Sequence, residues 1–230
     1  MRLLRTGARD PALNLALDEA LLRSGRDTLR LYGWDPPGLS LGYFQPAADF
    51  ETPDGYSLVR RPTGGGAIAH TGELTVSWVG RRQRVADAYE RVNEVVQATA
   101  ATLGVQGLQR GTTAPRAAPA GFCFDHHTLY DLIAGPGKVF GSAQRRAGDH
   151  FLLHGTLVLQ PNPLAEGAAC LSELAGRNIE REEAESALVA TTVRLWNVRL
   201  TPEQPTPDEW ALAETLVRER YAHPDWTYRR

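Results

Sequence analysis

The chain has 230 residues, 42% hydrophobic and 23% charged, with a formal net charge of −2. That length buries one substantial core and predicts a single catalytic-size domain over 1–230, while the charge balance excludes a generally basic nucleic-acid binder. No apolar run approaches the roughly 20 residues that cross a bilayer, and the opening Met1-Arg2-Leu3-Leu4-Arg5 lacks a signal-peptide core, so the expectation is a cytoplasmic protein with no membrane partner.

Along the chain, Leu13, Leu17, Ala20 and Leu21 recur at helical spacing and predict a helix over 14–23, with Asp10 or Asn14 as its start signal. Residues 29–34 and 39–43 read as strands split by the Asp35-Pro36-Pro37-Gly38 turn, and 56–61 and 74–79 as two further strands bracketing a glycine loop. Ala88, Val92, Val95, Val96 and Thr99 share one face of a long helix over 84–103. The stretch 106–121 is rich in Gly, Ala, Pro and Thr without periodicity and reads as a mobile loop. Strands follow over 129–133, 138–145 and 151–159. From about 163 the chain turns helical, most clearly over 181–196 and 207–221. The sum is an α/β (α+β) fold in which helices flank a mixed, largely antiparallel sheet.

Of the 25 basic residues only Lys138 is a lysine. A background that supplies positive charge with arginine marks this position as one where guanidinium does not serve: an ammonium is compact, loses its proton when desolvated, and places a point charge on one oxygen. Cys123 and Cys170 are too few for a disulfide scaffold and lack metal-ligand spacing, and the adjacent His126-His127 make no metal pattern. Cys170 lies on an apolar helical face. Cys123, between Phe122 and Phe124, is either a buried small hydrophobe or, if Lys138 lies near it, a thiol with a raised thiolate fraction.

Two further segments carry chemistry. In Arg60-Arg61-Pro62-Thr63-Gly64-Gly65-Gly66-Ala67-Ile68-Ala69-His70, three consecutive glycines let backbone approach a ligand closely, and the arginines add charge. The Gly-Lys-Ser/Thr ending of a phosphate loop is missing, and a flexible hairpin loop satisfies the same residues. In Leu152-Leu153-His154-Gly155-Thr156-Leu157, the histidine is either a satisfied structural residue or a neighbour of the lysine strand. Leu74, Val76, Ile68 and Phe140 would line an apolar slot or form ordinary core.

Together with Asn14-Leu15-Ala16-Leu17-Asp18-Glu19-Ala20-Leu21-Leu22, Trp34-Asp35-Pro36-Pro37, Gly42-Tyr43-Phe44-Gln45 and Gly137-Lys138 followed by Gly141-Ser142-Ala143-Gln144, these segments resemble the lipoate-protein ligase and octanoyltransferase family, related in fold to biotin-protein ligases. The resemblance implies an acyl tunnel between the glycine loop and the lysine strand. It implies catalysis by Cys123 and Lys138, and substrate contacts at Arg60, Arg61, Gly64, Gly65, Gly66, His70, Ser77, Gly141, Ser142, Ala143, His154 and Gly155. Ligases of this family activate lipoate with ATP and Mg. The transferases need no cofactor and no metal, taking octanoate from an acyl carrier protein thioester through a cysteine acyl-enzyme to a lysine of a lipoyl domain or a glycine cleavage H-type protein.

Gly121-Phe122-Cys123-Phe124-Asp125 and Glu73-Leu74-Thr75-Val76-Ser77 look closer to the transferases, since ligases commonly have Asn around Thr75 and Asp in place of Thr71. Fully active ligases usually carry an extra C-terminal domain, and this chain ends soon after Trp226-Thr227-Tyr228. One departure is that cysteine transferases of this type often have Arg where Gly66 stands. The alternatives are an ATP-dependent lipoate ligase and a non-catalytic acyl- or carrier-binding module. Acidic protein partners would dock on arginines around the site, for which Arg60-Arg61, Arg81-Arg82-Arg84 and Arg145-Arg146 are the candidates. The acceptor lysine must lose a proton to Lys138, to His154 or to water.

Overall fold

The computed structural model describes residues 1–114 and 121–230. In chain order the elements are β1 (Arg2–Arg9), α1 (Pro11–Ser24), β2 (Thr28–Trp34), β3 (Gly38–Leu41), β4 (Ser57–Arg60), β5 (Ile68–His70), β6 (Glu73–Arg81) and α2 (Val85–Thr102). They continue with β7 (Gln109–Arg110), β8 (Leu132–Ala134), β9 (Gly137–Ala147), β10 (His150–Val158), α3 (Leu171–Ala175), α4 (Arg181–Trp196), β11 (Thr201–Pro202), α5 (Pro207–Leu216) and α6 (Pro224–Thr227). Among the described residues no helix is long and apolar enough to cross a membrane.

Eight strands form one sheet in the order β11-β1-β2-β6-β10-β9-β8-β7, with parallel pairing only where β1 meets β11 and β2. A second sheet of three, β4-β3-β5, lies over part of one face. β1 escapes a reading of the sequence because Arg2, Arg5 and Arg9 interrupt its apolar pattern. Arg2 is nonetheless buried, since Glu209 at the start of α5 holds its guanidinium with two bonds of 2.7 and 3.0 Å. β5 emerges inside the expected glycine loop, and β7 and β11 are two-residue pairings with no sequence signal of their own. Part of the loop expected over 106–121, residues 115–120, lies outside the described residues.

The pleat of the large sheet divides its residues by function. On one face Leu29, Leu31, Leu74, Val76, Trp78, Phe140 and Leu153 pack against Val92, Val96 and Ala100 of α2 and Leu188 of α4. On the other, Val79 and Leu152 pack under α1 near the sheet's end, and the middle is polar. There the register aligns Arg30, Ser77, His154 and Ala143 in one row across four strands, and Tyr32, Thr75, Thr156 and Gly141 in the next. Leu74, Val76 and Phe140 therefore belong to the core and not to a ligand slot.

Helix α1 covers this second face. Asp10 caps it by accepting from the N–H groups of Ala12 and Leu13 at 2.9 and 3.1 Å, and Gly25 ends it at φ 66°, a left-handed conformation that favours glycine. Its Glu19 takes Arg220 and the Tyr221 hydroxyl, which fastens the C-terminal segment to it. Arg60, fully buried at the end of β4, completes the fastening. It donates to the carbonyls of Thr227 at 2.7 and 3.0 Å on one side, and to those of Gly42 and Gln45 at 2.8 and 2.6 Å on the other. A planar guanidinium carries five donors on three nitrogens and reaches carbonyls on both sides of the side chain, whereas an ammonium has three donors on a single atom. Arg60→Lys is thus expected to lower stability by about 3 kcal/mol through orphaned carbonyls, read as a shifted urea midpoint with faster proteolysis near the C-terminus; an unchanged midpoint would contradict this role.

Candidate active site

Lys138 projects from the start of β9 and is 2% exposed. Its ammonium has three protons and three acceptors: the carbonyl of Cys123, the Cys123 Sγ at 3.4 Å, and the Asp131 Oδ2 at 3.1 Å. Burial pulls the ammonium down, but the charges of Cys123 and Asp131 outweigh it, and the group ends above its ordinary value. Lys138 is therefore held protonated, as a fixed positive charge beside the sulfur and not as a base. Asp131 also accepts from the Thr128 N–H at 2.6 Å. Nothing in its local sequence marks it; the signal was the general need of a buried lysine for a carboxylate, which the pairing of Ile133 with Lys138 supplies.

The glycine loop seats the cysteine. Cys123 donates its N–H to the Ala67 carbonyl at 2.7 Å, and Ala67 donates to Gly121 at 3.1 Å. A side chain on Gly66 would place its Cβ 2.8 Å from the Cys123 nitrogen, so no larger residue fits there unless the Cys123 segment moves. Gly141 has the same logic on the other side: its Cβ would lie 3.6 Å from the Cys123 Sγ and 3.2 Å from Asp131. Arg61, 3% exposed, closes the loop from beneath by donating to the carbonyls of Gly64 and Gly66 at 2.9 and 2.6 Å and of Ser40 at 2.9 Å. Burial pushes its guanidinium down to about 10, opposed by Cys123 and reinforced by Arg60. Arg60 and Arg61 are thereby removed from the docking face that their charge suggested: both are buried and spend their donors on backbone carbonyls.

Between the two sheets lies a narrow cavity whose lining is mostly apolar. Of its lining, Gly64, Gly65, Cys123, Ser142 and Ala143 are partly exposed at one end; Ile68, His70 and Thr75 are buried at the other, where Trp34 is itself partly exposed. Trp34 forms the wall at that end, stacked on the His70 ring at 3.8 Å between centroids and donating to Thr75 at 2.8 Å. His70 bonds to Ser40 at 2.8 Å and Glu73 at 2.6 Å; burial holds it below the ordinary histidine value despite Glu73, with Arg61 and His154 adding to the lowering. His154 and Gly155 complete the floor. The structure thus brings together Cys123, Lys138, Arg61, Gly64, Gly65, His70, Gly141, Ser142, Ala143, His154 and Gly155. Arg60, Gly66 and Ser77 do not line the cavity: the first serves the C-terminal segment, the second supports Cys123, and Ser77 lies buried beneath His154.

Sequence reasoning also missed Asp18 and Arg30. Arg30 donates to Asp18 at 2.7 Å, Tyr32 donates to it at 2.9 Å, and His154 Nδ1 lies 3.2 Å from it. Burial alone would raise the Asp18 carboxyl, but Arg30 and His154 outweigh it and hold it below its usual range. Two acids in an apolar helix, Leu17-Asp18-Glu19-Ala20, were the available sign, since buried charges require partners.

Known proteins are similar to this chain in sequence and fold. Residues 10–165 match the family described as the lipoyl protein ligase A/B catalytic domain. An octanoyltransferase LipM from Symbiobacterium thermophilum is 38% identical over 100% of this chain and 98% of its own. A T. acidophilum protein described as a lipoate protein ligase and holding lipoic acid superposes with a TM-score of 0.86 at 25% identity, over 99% of this chain and 98% of that one. In fold alone, a bipartite lipoate protein ligase studied with its E2 lipoyl domain from Thermoplasma acidophilum is similar, with a TM-score of 0.80 at 23% identity, over 99% and 95%. The cysteine on its glycine loop, the buried lysine beside it and the whole-chain likeness to LipM agree: the chain belongs to the lipoyl protein ligase A/B catalytic-domain family.

Proposed function

We infer that this chain is an octanoyltransferase of lipoate biosynthesis, moving an octanoyl group onto the lysine of a lipoyl domain through an acyl-enzyme on Cys123. The observation that carries the acyl-enzyme is the Cys123 Sγ 3.4 Å from a buried, protonated Lys138, at the partly exposed edge of the cavity. An ammonium at that distance stabilises a thiolate and then the oxyanion formed when the thiolate attacks a thioester carbonyl. The octanoyl tail extends toward Ile68 and Trp34. The donor is an acyl carrier protein thioester, whose own activation drives both steps, so the reaction uses neither ATP nor a metal; it takes place in the cytoplasm.

Incubation with octanoyl carrier protein and no ATP is expected to add one octanoyl group to Cys123 by mass spectrometry. No adduct, with acyl-adenylate appearing once ATP is supplied, would select the ligase chemistry instead. Cys123→Ser should abolish transfer, because a serine hydroxyl stays protonated here. Cys170→Ser should transfer normally, Cys170 being buried beside α3.

Lys138→Arg keeps the charge but sets a planar fork into space shaped for an ammonium. Loss of one oxyanion contact costs roughly 3 kcal/mol, about 10²–10³ in rate. Single-turnover transfer by the folded variant tests this, and a rate within a few-fold of wild type would remove Lys138 from the chemistry.

With Arg60 and Arg61 buried, the docking charge falls to the exposed Arg81, Arg82 and Arg84 and the partly exposed Arg145 and Arg146. Arg145 reaches the glycine loop, donating to the Pro62 carbonyl at 3.1 Å. Transfer from an acidic protein donor should fall steeply with salt, while reaction with a small thioester should not; equal salt responses would exclude these arginines as the docking face.

A further inference from the structure

We propose that His154 is the base that takes the proton from the incoming acceptor lysine. The proposal rests on the Cys123 acyl-enzyme inferred above. The amine arrives as an ammonium and cannot attack until it loses a proton, and the groups around the thiol differ sharply in their capacity to accept one. Lys138 is protonated and its three donors are engaged. Asp131 is committed to Lys138 and Thr128. Glu73 accepts from His70 and Thr75, and His70 sits with them at the end of the cavity beside Trp34.

His154 is placed otherwise. Sheet register pairs it with Ala143, a lining residue at the partly exposed edge, while Thr156, one pleat away on the same face, pairs with Gly141 against the Cys123 sulfur. One pleat is about 7 Å along the strand, so the imidazole flanks the reacting sulfur on the side from which an acceptor enters.

Its tautomer follows from counting donors. Asp18 is a carboxylate, accepting from Arg30 at 2.7 Å and Tyr32 at 2.9 Å, so His154 Nδ1, 3.2 Å away, carries hydrogen toward it. Nε2 is then the lone-pair nitrogen, and it accepts from the Thr63 hydroxyl at 2.7 Å. Thr63 belongs to the glycine loop that seats Cys123. The Thr63 hydroxyl passes a proton to Nε2 by giving its own to the imidazole and taking one from the amine. The Asp18 carboxylate stabilises the imidazolium that results.

In the step, the lysine ammonium gives one proton through Thr63 to Nε2. The freed amine attacks the carbonyl carbon of the Cys123 thioester and forms the C–N bond. The C–S bond then breaks with its electron pair returning to sulfur, which remains a thiolate beside Lys138. The second nitrogen proton leaves to water, the imidazolium returns its proton to solvent, and the donor thiolate released in the next acylation takes a proton from water.

The test separates a base from a structural histidine by the choice of nucleophile. His154→Asn keeps a donor toward Asp18 but has no basic nitrogen; His154→Gln keeps a partner for Thr63 and serves if the first variant does not fold. Each is acylated with octanoyl thioester, and the isolated acyl-enzyme is treated with a lipoyl domain or with hydroxylamine, which is uncharged at neutral pH. The expected result is that, on the same isolated acyl-enzyme, the ratio of lipoyl-domain transfer to hydroxylamine release falls about 10²–10³-fold below that of wild type. Transfer to the lipoyl domain at wild-type rate, or an equal slowing of both nucleophiles, would overturn the assignment. A wild-type enzyme that forms no acyl-enzyme would instead refute the Cys123 reading on which it rests.

Discussion

Everything at this site depends on one buried ammonium. Isolating a charge from water is expensive, and Lys138 remains charged because a carboxylate, a carbonyl and a sulfur converge on it. Two of those three acceptors belong to Cys123, so the same contacts that satisfy the lysine also fix the cysteine. The sulfur is thereby placed at the end of a strand, on the rigid part of the molecule, although the residue itself sits in a loop. A guanidinium has five donors in a plane and would leave some unsatisfied in that space, which explains why a chain so committed to arginine keeps a lysine here.

The arginines show the complementary logic. Arg60 and Arg61 are adjacent, yet each gathers backbone carbonyls from segments distant in sequence: one ties the C-terminal segment to the turn after β3, the other ties β3 to the glycine loop. A loop of three glycines has little stiffness of its own, because glycine loses more conformational freedom on folding than any other residue. Its shape comes from the Arg61 fork beneath and the Cys123 segment alongside. Glycine permits the close approach and arginine makes it permanent.

Much of this was legible in the sequence where the signal is local. Helices α1, α2 and α4 follow apolar spacing, and β2, β6, β9 and β10 follow runs of apolar residues bounded by turns. The lone lysine announced itself by composition. The partners did not. Asp18 and His154 are 136 positions apart and meet only because β6 and β10 align with β2 in one register. The pleat that puts Leu74 and Val76 into the core turns Thr75 toward the cavity, so a reading that grouped apolar residues of one strand around the ligand mixed the two faces. Arg60 and Arg61 looked like docking charge because burial of a cation is decided by carbonyls contributed from elsewhere. β1 was hidden by arginines with distant partners: Arg2 pairs with Glu209 of α5 and Arg5 with Glu185 of α4.

The charges of the cavity are ordered by depth. Lys138 supplies positive charge next to the sulfur, and Arg61 supplies it beneath the glycine loop. Each carboxylate near the cavity is already spoken for: Asp131 by Lys138, Asp18 by Arg30, Glu73 by His70. Among the described residues no carboxylate lines the cavity, and at the end beside Trp34 the His70 imidazole is held neutral, stacked on the indole. Such a pocket accepts an uncharged tail and gives nothing to a tail that ends in a charge, since a buried terminal ion would find its possible counterions committed. Discrimination against a charged chain end thus requires no dedicated residue; it follows from pairing every charge internally before substrate arrives.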